Sequence, residues 1–210
     1  AHELRTPLAT LEAHIDGLED GIAPATPDTY AVMRHQVTRL RRLTNDLRTL
    51  TEVEAHALDL HLRPTPINTI IEDACGAFEQ RYGVAGVSLS YTPCASDASV
   101  NIDPDRLQQV MANLLENALR HTPKAGHVAV ICQCNGERVL ITVTDTGDGI
   151  PVDQLDAVFE RFHRADTSRR NDGEGSGLGL TIARGIITDH GGTLTAESEG
   201  FGRGTRLIVN

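Results

Sequence analysis

With 210 residues, 40 % of them hydrophobic and 23 % charged, the chain has room for one large domain or two modest ones and does not have the composition of a disordered segment. A formal net charge of -10 argues against nucleic-acid binding through general electrostatics. No apolar run approaches the roughly 20 residues that a membrane helix needs, so no membrane contact is expected of this fragment.

The chain opens at Ala1-His2-Glu3, part-way into a helical pattern and without a signal-like segment, so an N-terminal truncation is expected. Leu4, Leu8, Leu11, Ile15 and Leu18 step by 4, 3, 4 and 3, the spacing of a helix-bundle seam, which predicts a core-forming helix over residues 1–20. Gly21, Pro24 and Pro27 break it. Thr26 or Asp28 can cap a second helix carrying Met33, Val37, Leu40, Leu43, Leu47, Leu50 and Val53. Two helices cannot close a core alone, so a homodimeric four-helix bundle is expected; the rival arrangement packs the hairpin against the rest of its own chain. At about 100° per residue His2 falls roughly 150° from the centre of the apolar stripe, with Thr6 one turn on, so both should face solvent. Glu3 adjoins the imidazole, and Pro7 inside the helix should kink or loosen the backbone, at a cost of about 3 kcal/mol that suggests a functional site.

Residues 59–65 are expected to end the second helix and lead through Pro64 and Pro66 into a new domain, giving domains 1–63 and 64–210. Residues 67–82 read as a helix, and 86–91 and 98–102 as short strands. Asp103 followed by Pro104 reads as a cap and first helical position, for a helix running to about His121. Leu107, Val110, Met111, Leu114, Leu115 and Ala118 form its buried face, while Asn113 and Asn117 repeat at i, i+4, where amides could hold a hydrated magnesium ion. Residues 128–134 and 139–144 read as a hairpin through Asn135-Gly136, and 193–197 with 205–209 as a final pair. The second domain is therefore α+β, with helices on one face of a mixed sheet. Cys75, Cys94, Cys132 and Cys134 contain no C-x-x-C pair, and Cys132 and Cys134 share one strand face, where a disulfide between them is disfavoured; buried reduced thiols in a cytoplasmic setting are expected.

Two glycine clusters organise the second domain. Asp145-Thr-Gly-Asp-Gly-Ile-Pro151 follows the apolar run 139–144, so a carboxylate that could accept from an adenine amino group stands at a strand end beside glycines. Glu174-Gly-Ser-Gly-Leu-Gly-Leu180 opens a helix, whose N–H groups and positive dipole end suit phosphates. Between them lie Arg161, Arg164, Arg169 and Arg170, a local reversal of charge that reads as a basic lid. The spacing fits neither the dinucleotide fingerprint nor the phosphate-binding P-loop.

Taken together, these motifs resemble those of two-component sensor histidine kinases. His2-Glu-Leu-Arg-Thr-Pro7 resembles the H box and Asn113-Leu-Leu-Glu-Asn-Ala-Leu-Arg-His-Thr122 the N box. Asp145-Thr-Gly-Asp-Gly149, Phe159-Glu-Arg-Phe162 and Gly175-Ser-Gly-Leu-Gly179 resemble the first glycine box, the F box and the second glycine box, all in the family's order. The resemblance implies a dimerisation and phosphotransfer hairpin, then an α/β two-layer sandwich of the Bergerat ATP-binding type. His2 would be the phosphoacceptor, Glu3 the base that takes its proton, and Thr6 a residue for dephosphorylating the partner. ATP would lie against Asn113, Asn117, Arg120, His121, Asp145, Gly147, Gly149, Ile150, Arg161, Phe162, Arg164, Gly175, Ser176, Gly177, Leu178, Gly179 and Thr205, with Mg2+ on Asn117. The implied partners are a second copy of the chain and a response regulator receiver domain. The implied setting is the cytoplasm, with the full-length protein anchored in the bacterial cell membrane.

Ala1, Arg120-His121 and Glu174 depart from the residues usual in the family, and none removes a group essential to the chemistry; Arg120 keeps positive charge without ammonium geometry. The rival functions are a Bergerat-type ATPase and a catalytically silent dimeric scaffold. The first would carry a water-activating glutamate four residues before Asn117, where this chain has Asn113, which cannot act as a general base. Intact His2, Asn117 and Asp145 argue against the second.

Overall fold

A computed structural model describes residues 2–55, 57–95, 99–135, 138–163 and 176–210, in two compact units, Ala1–Thr51 and Glu52–Asn210. The first is built from α1 (His2–Glu19) and most of α2 (Pro27–Glu54). Thr26 accepts the Thr29 N–H at 3.3 Å, and Pro27 occupies the first helical position, where its missing N–H is no loss. Pro7 is buried inside α1, and the helix continues through it instead of breaking. Much of the apolar seam is open: Leu8 is 49 % exposed and Val37 46 %. No described helix is long and apolar enough to cross a membrane.

The expected end of the second helix at 59–65 is overturned. The Ala57 N–H closes on the Glu52 carbonyl at 2.9 Å and α2 stops at Glu54, because the helical spacing of apolar residues ends at Val53. A strand the sequence reading did not anticipate follows. β1 (Arg63–Pro66) pairs antiparallel with β3 (Ser99–Ile102) in a two-stranded ribbon, where prolines are tolerated because an edge strand leaves some N–H positions unpaired.

The second unit carries a five-stranded sheet in the order β2-β4-β5-β7-β6, formed by β2 (Ser88–Thr92), β4 (His127–Asn135), β5 (Arg138–Asp145), β6 (Leu194–Glu197) and β7 (Arg206–Val209). β2 runs parallel to β4 and the other pairs are antiparallel, the mixed sheet expected. Helices α3 (Ile67–Ala85), α4 (Pro104–His121) and α5 (Gly179–Asp189) cover one face. Val110, Met111, Leu114 and Leu115 of α4 are wholly buried there, as the helical period required. From the sheet side, Val128 and Val130 of β4, Ile141 and Val143 of β5 and Leu207 of β7 meet them. Two short 3-10 turns, Val152–Gln154 and Ala157–Phe159, lead from β5 toward α5.

Asp103 caps α4 as its sequence predicts, accepting from the Asp105 and Arg106 N–H groups at 3.0 and 3.1 Å. Its second oxygen takes the His61 N–H at 2.9 Å. Burial alone would raise the Asp103 carboxyl pKa; the backbone donors of His61, Arg106 and Asp105 outweigh it and hold the group below the ordinary value.

The cysteine expectation is corrected. Cys94 and Cys134 form a disulfide, while Cys75 and Cys132 remain free and buried. Cys132 and Cys134 do share a strand face, but the partner comes from the segment after β2, which no local pattern reveals.

Candidate functional site

Side chains alternate along β5, so Asp145 shares the face of Ile141 and Val143 and points under the helix layer instead of into solvent. It is 5 % exposed. Its Oδ1 accepts the Gly147 N–H at 2.8 Å and the Thr205 N–H at 3.1 Å, and no other hydrogen bond reaches the carboxylate among the described residues. Thr205 is buried too, and its carbonyl accepts the Asp145 N–H at 2.9 Å, so β5 and the turn before β7 grip the residue from both sides. Burial raises the Asp145 pKa, opposed by the Gly147 and Thr205 donors and by His121. A carboxylate buried without a cation in contact costs stability. Its open oxygen suits a ligand N–H donor.

The glycines beside it are required by close approach. A Cβ on Gly147 would collide with the His121 carbonyl, and one on Gly204 with the Asp145 carbonyl. The loop is pinned on both flanks: Asp148 N–H donates to the His121 carbonyl at 3.1 Å and Gly204 N–H to the Gly147 carbonyl at 3.1 Å. His121 Nδ1 lies 3.3 Å from an Asp148 carboxylate oxygen. Gly149 and the half-buried Ile150 continue the loop, and the Ile150 N–H donates to Ser198 Oγ at 2.9 Å. Ser198 is a support the sequence reading missed: its hydroxyl also donates to the Gly204 carbonyl at 2.7 Å, joining the two loops that hold Asp145. Nothing in its own segment, Glu197-Ser198-Glu199, announces this.

The second glycine cluster meets α4. Gly179 begins α5, and a Cβ there would sit 3.5 Å from Asn113 Oδ1, so the helix start and the N-box amide are neighbours. Asn113 Nδ2 is buried with no hydrogen-bond partner among the described residues, an orphaned donor beside a helix N-terminus. Asn117 follows one turn later, half-buried on the same side of α4. Arg120 lies 3.9 Å from Glu116, which itself holds Arg81 through two bonds of 2.7 and 2.9 Å.

The F-box segment docks on the second glycine cluster. Phe159 is buried, its carbonyl accepts from Thr181 Oγ1 at 2.8 Å, and the Arg184 guanidinium stands 4.8 Å over its ring. Phe162, half exposed, donates its N–H to the Gly177 carbonyl at 3.0 Å. Gly177 has a φ of 65°, and a Cβ on it would press on the Phe162 backbone, so glycine is required twice over. Leu178 is buried, and its N–H reaches Ser176 Oγ at 3.3 Å. Arg161 is ion-paired with Glu54, a partner sequence spacing could not suggest. Arg164 and Gly175, with Arg169, Arg170 and Glu174, lie outside the described residues, as do the side chains of His2 and Glu3. His2 is the first residue of α1, and Thr6, one turn on, is exposed as expected.

A buried carboxylate, an orphaned amide and a glycine-framed helix start thus converge around α4. The model of the histidine kinase-, DNA gyrase B-, and HSP90-like ATPase family matches residues 102–210, and that of the His Kinase A (phospho-acceptor) domain matches residues 1–56. The chain belongs to the two-component sensor histidine kinases. This kinase chain is 37 % identical over 202 residues to the signal transduction histidine-protein kinase BaeS of Escherichia coli (strain K12), covering 96 % of the chain and 43 % of BaeS. It is 33 % identical over 213 residues to the sensor protein SrrB of Staphylococcus aureus (strain N315), covering all of the chain and 36 % of SrrB. The kinase chain therefore spans less than half the length of these curated relatives. Among solved structures it is similar to the Acinetobacter baumannii histidine kinase AdeS, with a TM-score of 0.83 and 27 % identity over 100 % of this chain and 96 % of that one. It is also similar to full-length ShkA in complex with AMPPNP, with a TM-score of 0.76 and 26 % identity over 99 % of this chain and 43 % of that one. The α/β unit is accordingly an ATP-binding domain of this family.

Proposed function

We propose that the chain is the core of a sensor kinase that transfers the γ-phosphoryl group of ATP to His2, then to an aspartate of a response regulator receiver domain. The observation that carries this reading is the buried Asp145, held through one oxygen by Gly147 and Thr205 and left able to accept an adenine amino group through the other. Gly175 to Gly179 and the start of α5 would receive the phosphates, with Asn113 Nδ2 as a donor, and Arg161, Arg164 and Arg120 as charge around them. Asn117 would hold Mg2+, which when bound neutralises phosphate charge. Gly149, Ile150, His121 and Phe162 would line the nucleotide, and Ser176, Leu178 and Thr205 would shape the loops against it.

In the transfer, neutral His2 attacks the γ-phosphorus, the bond to the leaving ADP oxygen breaks, and Glu3 accepts the imidazole proton. The exposed Thr6 would orient water toward the partner's phosphoaspartate, so that the chain also hydrolyses that phosphate as a phosphatase. The open seam of Leu8, Ile15, Val37 and Leu47, each more than 40 % exposed, supports a homodimer. The phosphotransfer and catalytic domains would divide at residues 63 and 64. The whole protein would act from the cytoplasmic side of a bacterial membrane to which it is anchored. Asn113, an amide where a water-activating carboxylate would be needed, argues against an ATPase.

Incubation with labelled ATP and magnesium tests the reading. His2 should take up an acid-labile, alkali-stable phosphate, His2→Gln should take up none, and Thr6→Ala should keep the uptake while lengthening the half-life of the regulator's phosphate. Unchanged labelling of His2→Gln would overturn the kinase assignment.

A further inference from the structure

The three sulfurs of Cys94, Cys132 and Cys134 lie within 4.8 Å of one another, at the end of the sheet remote from the Asp145 end of β5. Cys132 and Cys134 extend the helix-covered row of β4 begun by Val128 and Val130. The parallel register sets Thr92 beside Ile131, so two residues further Cys94 falls level with residue 133, between the two cysteines. Asn68 in the first turn of α3 fixes it there. Its Oδ1 accepts the Cys94 N–H at 2.9 Å and the Tyr91 hydroxyl at 3.0 Å, and its Nδ2 donates to the Cys94 carbonyl at 3.2 Å. Cys132 Sγ is 3.0 Å from Cys94 Sγ although Cys94 is bonded to Cys134. A structural disulfide needs two cysteines; here a third is aimed at the same point.

We propose that, with the disulfide reduced, the three cysteines form a binding site for a trivalent, thiophilic metalloid of the arsenic(III) class. Spacing and charge both select that class. A central atom bonded to three sulfurs at about 2.3 Å holds them roughly 3.4 to 4.0 Å apart, from pyramidal to planar geometry, a spread the cluster reaches with small side-chain rotations. Three thiolates carry three negative charges. A monovalent ion would leave two of them uncompensated and a divalent ion one, in a site where Cys94 and Cys132 are 6 % and 2 % exposed. An anionic complex buried there would meet the desolvation penalty of an uncompensated charge. A trivalent centre leaves none. No fourth ligand of the kind tetrahedral zinc requires joins the cluster among the described residues.

The chemistry balances without any change in the metalloid's oxidation state. The disulfide takes two electrons from a dithiol or phosphine reductant, which is itself oxidised; the two protons come from the dithiol or, with the phosphine, from a water whose oxygen ends on the phosphine oxide. Arsenous acid, As(OH)3, then exchanges its three hydroxyl groups for three thiolates, each leaving with a thiol proton as water. The half-buried Cys134 supplies the side from which the metalloid enters.

The phosphine-reduced chain is titrated with arsenite and weighed by native mass spectrometry. One arsenic should bind per chain with loss of three hydrogens. Cys132→Ala and Cys134→Ala should each weaken binding at least by the roughly 10- to 100-fold that losing even an outer-shell partner costs metal sites. Cys75→Ala, which alters the free thiol outside the cluster, should bind as the wild type does. Retained binding of an ATP analogue shows that each variant is folded, and the serine variant at the same position replaces any that is not. Loss of only two hydrogens, unchanged affinity in Cys132→Ala, or displacement of arsenite by stoichiometric zinc(II) or copper(I) would overturn the proposal.

Discussion

The two units bury their apolar residues to different ends. In the α/β unit, Ile71, Val110, Met111, Leu114 and Leu115 are fully buried within one chain, whereas in the helical unit Leu8, Ile15, Val37 and Leu47 stay between 42 and 49 % exposed. Both sets follow an amphipathic helical period, so periodicity alone does not decide whether a core is complete. The difference is the number of layers: three helices on a sheet close a core, and two helices do not. The helical unit therefore leaves its apolar seam open, whereas the α/β unit covers its own core beside the Asp145 site.

Leu114→Ala should destabilise the α/β unit by about 2–5 kcal/mol without dependence on protein concentration, as checked by denaturant unfolding at two concentrations. Leu8→Glu should do the opposite, weakening self-association roughly a hundredfold, or ~3 kcal/mol, in sedimentation equilibrium while leaving unfolding of the α/β unit unchanged. If Leu8→Glu left association intact, the seam would not be the dimer surface.

Two buried carboxylates of the α/β unit have pKa values shifted in opposite directions. Asp103→Ala removes a helix cap and should cost about 1–2 kcal/mol at neutral pH. Because the folded-state pKa of Asp103 is lowered, its contribution is present above the unfolded value and lost as pH falls through the folded one, so the mutant's deficit should shrink on acidification. Asp145 has the reverse sign. Its folded pKa is raised, so the stability linked to its protonated form is present below the unfolded value of 3.8 and lost as pH rises through the folded pKa. Asp145→Asn keeps an oxygen for the Gly147 and Thr205 donors while removing the charge, and should raise stability by roughly 0.5–1 kcal/mol near neutral pH in thermal unfolding. A loss of stability would mean that the carboxylate is structural.

Much of this site was legible because its signals are local. The Asp103-Pro104 cap, the apolar face from Leu107 to Ala118 and the strand run ending at Asp145 each combine a period with punctuation, and each element lies within a few residues of its expected place. What escaped depends on residues far apart in the chain. β1 was hidden by the two prolines of Arg63–Pro66, which only an edge pairing explains. The Cys94–Cys134 bond depends on the parallel register of β2 with β4. Ser198 under Ile150 and Glu54 against Arg161 are contacts of folding, not of spacing.

In the proposed function the buried carboxylate of Asp145 reads the amino group of adenine. Calorimetric titration of the wild type and Asp145→Asn with ATP and with inosine triphosphate, which carries a carbonyl where adenine carries the amino group, tests it most directly. The wild type should prefer ATP by at least the roughly tenfold that one unpaired buried group costs, and Asp145→Asn, whose amide can donate, should lose or reverse that preference. Equal affinity of the wild type for the two nucleotides, or an ATP preference unchanged in Asp145→Asn, would contradict it.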